Sequence, residues 1–515
     1  MKLRHLKYLA VIAAAVALAS CGSKSTQSIS ASGSQPVQIP VPGISAAVTY
    51  SFDLGVIDAA TGMYYVTDRT NKAVDVINIS GGAAGVLNNP VTLFKQAYAG
   101  CFSGGTTGGQ THFPYTPMPG CLNIAITANI TLVTNNDLDG PDGLDIVNYG
   151  PTASTGHLFV GDVNAVWVVN KTSGVLLGKL AIPNSGTQQG FRLDEGCYDP
   201  TNHLYAIALT GDPNNPHFAI LDTTAHDADA TGATMPRLIA RLLLNDSTGA
   251  ASGGIEACFF DTRGATVGAA TAAAGYMWTN NDVSTANPNG EADGIPIADL
   301  IAIRTAVGAG AAIKVVFAGP LTATVDYGVA TSTAPVCALG GGGSCGAVAP
   351  KILALPALCD PTGIAAGPAA GTEAGAMCRP GTFGQSLDFV IFNTGGAAVT
   401  APSIVTTVAG AGGGDQIAYD AASNKYYLAN NRQTANHKSC FNNAVPGTPQ
   451  VCNLIPKLYV VDGTSHAVVG IFDSGNNAHS VAAGNGMVLM PFTNTSATAG
   501  GATFPNGGVA LYPTM

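Results

Sequence analysis

Short runs of alternating apolar and polar residues recur along this chain, separated by turn residues. Asp53-Leu-Gly-Val-Ile-Asp58 is followed by Ala-Ala-Thr-Gly62 and then by Met63-Tyr-Tyr-Val-Thr-Asp68; Arg-Thr-Asn-Lys leads on into Ala73-Val-Asp-Val-Ile-Asn78. Strands of this length with Gly and Asn between them predict an antiparallel meander. The same grammar returns as Gly414-Asp-Gln-Ile-Ala-Tyr-Asp420, Ala-Ala-Ser-Asn, Lys425-Tyr-Tyr-Leu-Ala-Asn430. It returns again at Asp194-Glu-Gly-Cys-Tyr-Asp199 with Leu204-Tyr-Ala-Ile, and at Pro141-Asp-Gly-Leu-Asp-Ile-Val147 with His157 to Asp162 and Ala165 to Asn170. Weaker copies begin at Ile255-Glu256, Pro361-Thr362 and Ala478-His479.

A unit that repeats and cannot bury its own apolar face predicts a closed array of similar sheets. Tyr64-Tyr-Val-Thr-Asp68 and Tyr426-Tyr-Leu-Ala-Asn430 resemble the Y-V-x-N/D core of the YVTN-type β-propeller repeat of the lactonase-like superfamily, over roughly residues 46–515. The expected fold is all-β: a propeller of seven blades, each a four-stranded antiparallel sheet. The first strands open at Asp53, Asp142, Asp194, Glu256, Thr362, Asp415 and His479. The seventh blade has segments for three strands, so Ala46–Phe52 is expected to supply its fourth and close the ring without leaving an edge. Irregular spacing is expected to come from disulfide-stapled insertions near 98–122, 325–358 and 436–456.

The beginning of the chain has a different character. Lys2, Arg4 and Lys7 precede an apolar run from Leu9 to Ala19, too short for a spanning helix of about 20 residues. Leu18-Ala-Ser-Cys21 follows and resembles the lipobox of bacterial lipoproteins. That resemblance implies a signal peptide at 1–20, a lipid on Cys21 and a location in the cell envelope. Gly22 after the cysteine leans towards the outer membrane. Residues 21–45 are rich in Ser, Gln and Pro and read as a tether.

Ten cysteines remain besides Cys21, an even number that suits an exported, oxidised chain. Sequence neighbours pair as Cys101–Cys121, Cys337–Cys345, Cys359–Cys378 and Cys440–Cys452, leaving Cys197–Cys258; this is one connectivity among the many that ten cysteines allow. No C-x-x-C is present, which disfavours zinc ribbons and attached haem. Charged residues make up 10% of the chain, against about 25% in an ordinary domain, and the net charge is −10. A nucleic-acid partner is disfavoured by that balance, as is electrostatic adhesion to anionic lipid, so any membrane contact is through the N-terminal lipid alone. The motifs H-E-x-x-H and G-x-x-x-x-G-K-[ST] are absent.

In a propeller the first strand of each blade lines the central channel. The polar starts Asp53, Asp142, Asp194 with Glu195, Glu256, Asp415 and His479 are therefore expected at one mouth. Asp68, Asp162, Asn280, Asn281, Asp282, Asn430, Asn431 and Arg432 are expected there too, at second-strand ends. Such a ring of oxygens suits Ca²⁺, which would relieve the repulsion among carboxylates. Asn135 to Asp145 also looks like a calcium loop, though Gly-Pro-Asp-Gly-Leu equally serves to enter a blade. The competing expectation is that each Asp or Asn caps a turn. The function expected first is a binding or scaffold module with a protein or small-molecule ligand. The superfamily resemblance implies an alternative, a metal-dependent lactonase or esterase with His479 as general base. An accessory subunit of an envelope complex is the third reading.

Overall fold

The computed structural model describes residues 36–45, 47–81, 90–96, 98, 140–147, 156–182, 192–210, 216–244, 254–262, 275–282, 290–307, 361–368, 373–378, 386–394, 402–438, 454–493 and 506–513. It adds the backbone of short strands at 111–113, 121–122, 130–132, 188–189, 314–318 and 353–356. Cys21 and Cys101, Cys337, Cys345, Cys359, Cys440 and Cys452 lie outside the described residues, and of Cys121 only the backbone is described.

Seven four-stranded antiparallel units form a seven-bladed β-propeller. Blade 1 consists of Phe52–Asp58, Met63–Asp68, Ala73–Asn78 and Thr92–Lys95. Blade 2 consists of Leu144–Val147, His157–Asp162, Ala165–Asn170 and Leu176–Ala181. Blade 3 takes Gly196–Asp199, Leu204–Leu209, His217–Asp222 and Arg237–Leu244. Blade 4 takes Cys258–Asp261, Tyr276–Asn281, Glu291–Pro296 and Leu353–Pro356. Blade 5 is Pro361–Ala366, Glu373–Cys378, Asp388–Asn393 and Ser403–Ala409. Blade 6 is Ile417–Asp420, Lys425–Asn430, Lys457–Asp462 and Val468–Asp473.

Blade 7 joins both ends of the chain. Ala482–Gly484, Met487–Phe492 and Gly508–Pro513 are completed by Val37–Pro40, with Val37 opposite Leu511 and Pro40 opposite Gly508. Closure by an N-terminal strand is as expected, but the strand is not Ala46–Phe52. Phe52 already belongs to the innermost strand of blade 1, and Val37–Pro40 falls within the stretch read as tether. The propeller therefore begins well before residue 46. A Ser- and Pro-rich composition hid four residues, Val-Gln-Ile-Pro, of which Ile39 is buried.

The core is divided among the blades. Seven hydrophobic clusters are present, and each fills the wedge between two neighbouring sheets. Tyr65, Val74 and Leu54 of blade 1 meet Leu144, Leu158 and Trp167 of blade 2, for example. Trp278 of blade 4 meets Phe392 of blade 5 edge-on at 5.4 Å. Both tryptophans are core residues, 1% and 0% exposed, which removes them as stacking platforms for a ligand. The innermost strands touch their successors all round, and the strand of blade 7 touches that of blade 1.

Of the insertion expected near 325–358 only the backbone of 353–356 is described, and additional elements lie before it. After its third strand, blade 4 gives rise to the helix Ile297–Val307, whose Ile297, Leu300, Ile303 and Val307 bury between blades 3 and 4. Arg304 donates to the carbonyl of Asn202 in blade 3 at 2.6 Å. Lys314–Ala318 then pairs in parallel with Arg237–Leu244 as a fifth strand of blade 3, and the chain returns through Leu353–Pro356 to finish blade 4. Cys121–Leu122 similarly adds a short parallel strand to blade 2. The helix escaped the periodicity argument because Ile295 to Val307 is apolar on nearly every side.

The disulfide Cys197–Cys258 joins the innermost strands of blades 3 and 4. Cys378 is also disulfide-bonded, and its expected partner Cys359 lies outside the described residues. Below the channel, Lys171 of blade 2 reaches Asp58 of blade 1 at 2.6 Å with both side chains buried.

Candidate functional site

The seven inner strands enter the channel from one face, and polar side chains stitch five of the seven entries to the next. The main-chain bond from Gly143 to Leu193 joins blades 2 and 3, and the disulfide joins blades 3 and 4. Thr67 Oγ1 accepts the Leu54 amide at 3.0 Å and donates to the Asp142 carbonyl in blade 2 at 3.0 Å. Asn280 Oδ1 accepts the Ala257 amide at 2.8 Å while its Nδ2 donates to Pro361 O in blade 5 at 3.1 Å. Thr362 donates to Gly414 O in blade 6. Gln416 Oε1 accepts Ser480 Oγ and the Val481 amide in blade 7, and Ser480 Oγ accepts the Gly55 amide of blade 1 at 2.9 Å. Hydroxyls and amides at these positions replace the ladder bonds that diverging strands lose.

The expected acidic residues lie above this layer. Burial and mutual Coulomb interaction place Asp53, Asp142, Asp194, Glu195, Glu256 and Asp415 in one electrostatic neighbourhood. The positive charge that relieves their repulsion comes from within the chain. Arg69 donates Nε to Asp142 Oδ1 and Nη1 to the Phe52 carbonyl at 2.9 Å, and its Nη2 lies 3.2 Å from Asp53 Oδ2. Arg192 meets Asp194 at 2.7 Å, and Arg432 lies 3.4 Å from Asp415. Arg69 and Arg192 were not expected in the ring. The available signal was adjacency, since Asp68-Arg69 and Arg192-Leu-Asp194 set two of the 21 basic residues beside carboxylates expected at the mouth.

His479 touches Asp53 across the ring closure. Its Nε2 lies 3.2 Å from Asp53 Oδ1, its Nδ1 lies 2.7 Å from the carbonyl of Asn477, and Phe52 stacks on its face at 4.9 Å. A neutral ring donates to one of these oxygens only, since it carries a single N–H. Both nitrogens of the residue expected as general base thus lie against oxygen atoms of Asn477 and Asp53.

Burial dominates the titration of the ring. It would push Asp53 up, but Arg69, the His479 hydrogen bond and Arg192 together hold that carboxyl below its usual range. Asp142 goes the other way: burial raises it more than Arg69 lowers it, and the charge on Asp53 adds to the rise. One guanidinium shared by two buried carboxylates cannot neutralise both. Asp194 is pushed up to about 6 by burial, against Arg192. Glu195 is raised well above the ordinary value by burial and then by Asp194 and Glu256.

A carboxyl raised in the folded state binds its proton more tightly there than in the unfolded chain. Its contribution to stability is complete below the unfolded value near 4 and disappears as pH rises through about 6 for Asp194. Asp194→Asn is expected to flatten the fall in melting temperature between pH 4 and pH 7. A profile unchanged by the substitution would show that Asp194 titrates normally.

Among the described residues no group of three or more His, Cys, Asp or Glu side chains is placed to hold a metal ion. Second-strand ends are mostly structural: Asp68 accepts from Asn71 Nδ2 at 2.6 Å, Asn281 donates to Asp293 at 2.8 Å, and Asn430 donates to Ala411 O at 2.7 Å. Of the loop from Asn135 to Asp145, residues 135–139 lie outside the described residues, and Asp142 is committed to Arg69.

No protein-family model and no curated protein matches the sequence. Solved structures similar to this one include a chain of the mitotic checkpoint complex, with TM-score 0.43 and 10% identity over 95% of this chain and 97% of that one. U3-55K gives TM-score 0.46 and 6% identity over 94% and 100%. The PQQ-bound aldose sugar dehydrogenase from Streptomyces coelicolor gives TM-score 0.35 and 11% identity over 72% and 93%. Likenesses this distant carry nothing about activity.

Proposed function

We propose that this chain is a binding module of the cell envelope, held to the membrane through Cys21, and that the channel mouth is its recognition surface. One observation carries this reading. Glu195 lies among Asp194, Glu256, Asp53 and Asp415, and the guanidiniums of the ring go to its neighbours, to Asp53 and Asp142, to Asp194 and to Asp415. Bound beside these crowded carboxyls, a cationic group, either an organic amine or Ca²⁺, would favour their ionised forms and relieve the repulsion that raises Glu195. Hydrogen-bonding amides and hydroxyls around it would orient the rest of the ligand, as loops and strand ends on rigid scaffolds commonly do.

The test is thermal unfolding with EDTA, with added calcium, and with spermidine as an organic polycation. A site occupied at 100 times its dissociation constant adds about 2.7 kcal/mol of stability. Calcium or spermidine is expected to raise the melting temperature, and Glu195→Gln to abolish the rise. A melting temperature unmoved by either cation would remove the reading and leave the carboxylates as partners of the arginines alone.

A further inference from the structure

The wedge on which the ring closes holds two carboxyl groups. Ile39, Tyr64, Val66, Ile77, Val509 and Leu511 help to fill the space between blades 7 and 1. Asp75 lies opposite Val66 on the ladder of blade 1, and Asp68 lies opposite Ala73. Residues opposite or diagonal on a ladder share one face of the sheet, so both carboxyls belong to the face of Val66, and both are fully buried.

Their hydrogen bonds can be counted atom by atom. Asp68 accepts the Asn71 amide through Oδ1 at 2.8 Å and the Asn71 side chain through Oδ2 at 2.6 Å. Asp75 Oδ2 accepts the Tyr50 hydroxyl at 2.8 Å. Asp75 Oδ1 has no donor, and the two carboxyl groups are in hydrogen-bond contact with each other. Buried carboxylates elsewhere in the ring meet a cation, as Asp142 meets Arg69 and Asp58 meets Lys171. Blade 4 contains the same diagonal pair with an amide in place of one carboxyl. Asn281 lies opposite Glu291 as Asp68 lies opposite Ala73, and Asp293 stands two residues on, as Asp75 does. There Asn281 Nδ2 donates to Asp293 Oδ2 at 2.8 Å, so the hydrogen comes from the amide. With two carboxyls, the same contact needs a proton.

We infer that Asp75 carries a proton in the closed ring, donating from Oδ1 to Asp68, and that this shared proton holds the wedge between blades 7 and 1 closed. The inference is independent of the channel mouth. Two carboxylates in contact in an apolar space repel each other and lose their hydration, whereas an acid and a carboxylate make a charge-assisted bond. The two N–H groups of Asn71 favour the charge on Asp68, which leaves the proton to Asp75. Burial and the charge of Asp68 raise Asp75 well above the ordinary carboxyl value, and the Tyr50 bond and Lys95 on the outer strand pull it down by less. Burial, Asp75 and Asp68 hold the Tyr50 phenol above its usual range, so Tyr50 remains a donor; Tyr64 is raised by burial and Asp75. Blade 7 contributes Leu489, Val509 and Leu511, which carry no charge. The strap from Val37 to Tyr50 depends on the pair twice. Tyr50 bonds Asp75, and Asn71, held by Asp68, also donates to the Pro42 carbonyl at 2.9 Å. Loss of the proton therefore loosens the strap at the seam of the ring.

A carboxyl raised by folding contributes its full stability below the unfolded value of about 4, and loses it as pH rises through the folded value. Asp75→Asn supplies a permanent N–H where the proton is inferred and keeps an oxygen for Tyr50. Asp68→Asn copies the amide of blade 4, so either variant can decide if the other folds poorly. At pH 7 an infrared difference spectrum, parent minus Asp75→Asn, should show the carbonyl stretch of a protonated carboxylic acid. Amides in 37–39 and 508–512 should exchange at least about tenfold faster in the parent than in either variant at pH 9, and at similar rates at pH 5. A difference spectrum without the acid band would overturn the inference. Equal exchange of the two segments in parent and variants at pH 9 would overturn it as well.

Discussion

Arg69→Ala is expected to destabilise the chain by about 3–5 kcal/mol at pH 7, the usual range when one member of a buried ion pair is removed. The Arg69 side chain is 9% exposed and serves two carboxylates and a carbonyl. Without it, Asp53 and Asp142 face each other across the seam between blades 1 and 2 with their charges uncompensated. The deficit should shrink on acidification, because both carboxyls then take up protons. Urea unfolding at pH 7 and at pH 4.5 measures the difference. Equal losses at the two values would mean that Arg69 acts by filling space, and its charge would be incidental. Arg69→Lys should recover only part of the loss, since one ammonium cannot match the fork that reaches Asp142, Asp53 and Phe52 together.

Gly143→Ala should be as damaging for a different reason. A Cβ at residue 143 would lie 1.8 Å from the carbonyl oxygen of Asp194 in the next blade. Both sides of that contact are main chain held in adjacent inner strands, so relief requires separating blades 2 and 3 at the mouth. Overpacking ordinarily costs about 1–3 kcal/mol, and a clash with fixed backbone belongs at or above the top of that range. Gly363 repeats the arrangement against the Asp415 carbonyl at 1.7 Å, so Gly363→Ala should behave alike. Gly62→Asn is the control. Gly62 has a φ of +67°, but the matching turn positions in blades 3 and 6 are His203 at +56° and Asn424 at +54°. The φ is therefore open to a side chain. A Cβ at Gly62 would come 2.8 Å from Ser80 Cβ, a milder approach than 1.8 Å from a carbonyl oxygen, so Gly62→Asn should cost less than Gly143→Ala in denaturation midpoint.

The contrast shows what the sequence could convey. Seven inner-strand starts, from Asp53 to His479, were legible because each copy repeats one arrangement of strand, turn and strand. The acidic ring followed from topology alone, since first strands must line the channel. Its neutralisation did not follow. Arg192 lies on no repeat position, and Arg69 reads as the first residue of a turn until the neighbouring blade is placed beside it. Blade 3's fifth strand and the helix before it were hidden because the chain leaves one sheet and returns to it after joining another. Val37–Pro40 was hidden because its pairing partner lies at the other end of the polypeptide. Local pattern reveals local pairing, and these contacts are not local.

Joining the first strand to the last has a consequence for biogenesis. Val37–Pro40 is made before every other blade strand, yet the edge it needs, Gly508–Pro513, is made after all six other blades. Until then every partly made ring has an open side, and the wedge between blades 7 and 1 is unfilled. A polypeptide cut short anywhere would keep that gap permanently. Completion of the ring therefore reports that the chain has been made through Pro513, and products truncated before it would present a free strand to proteases.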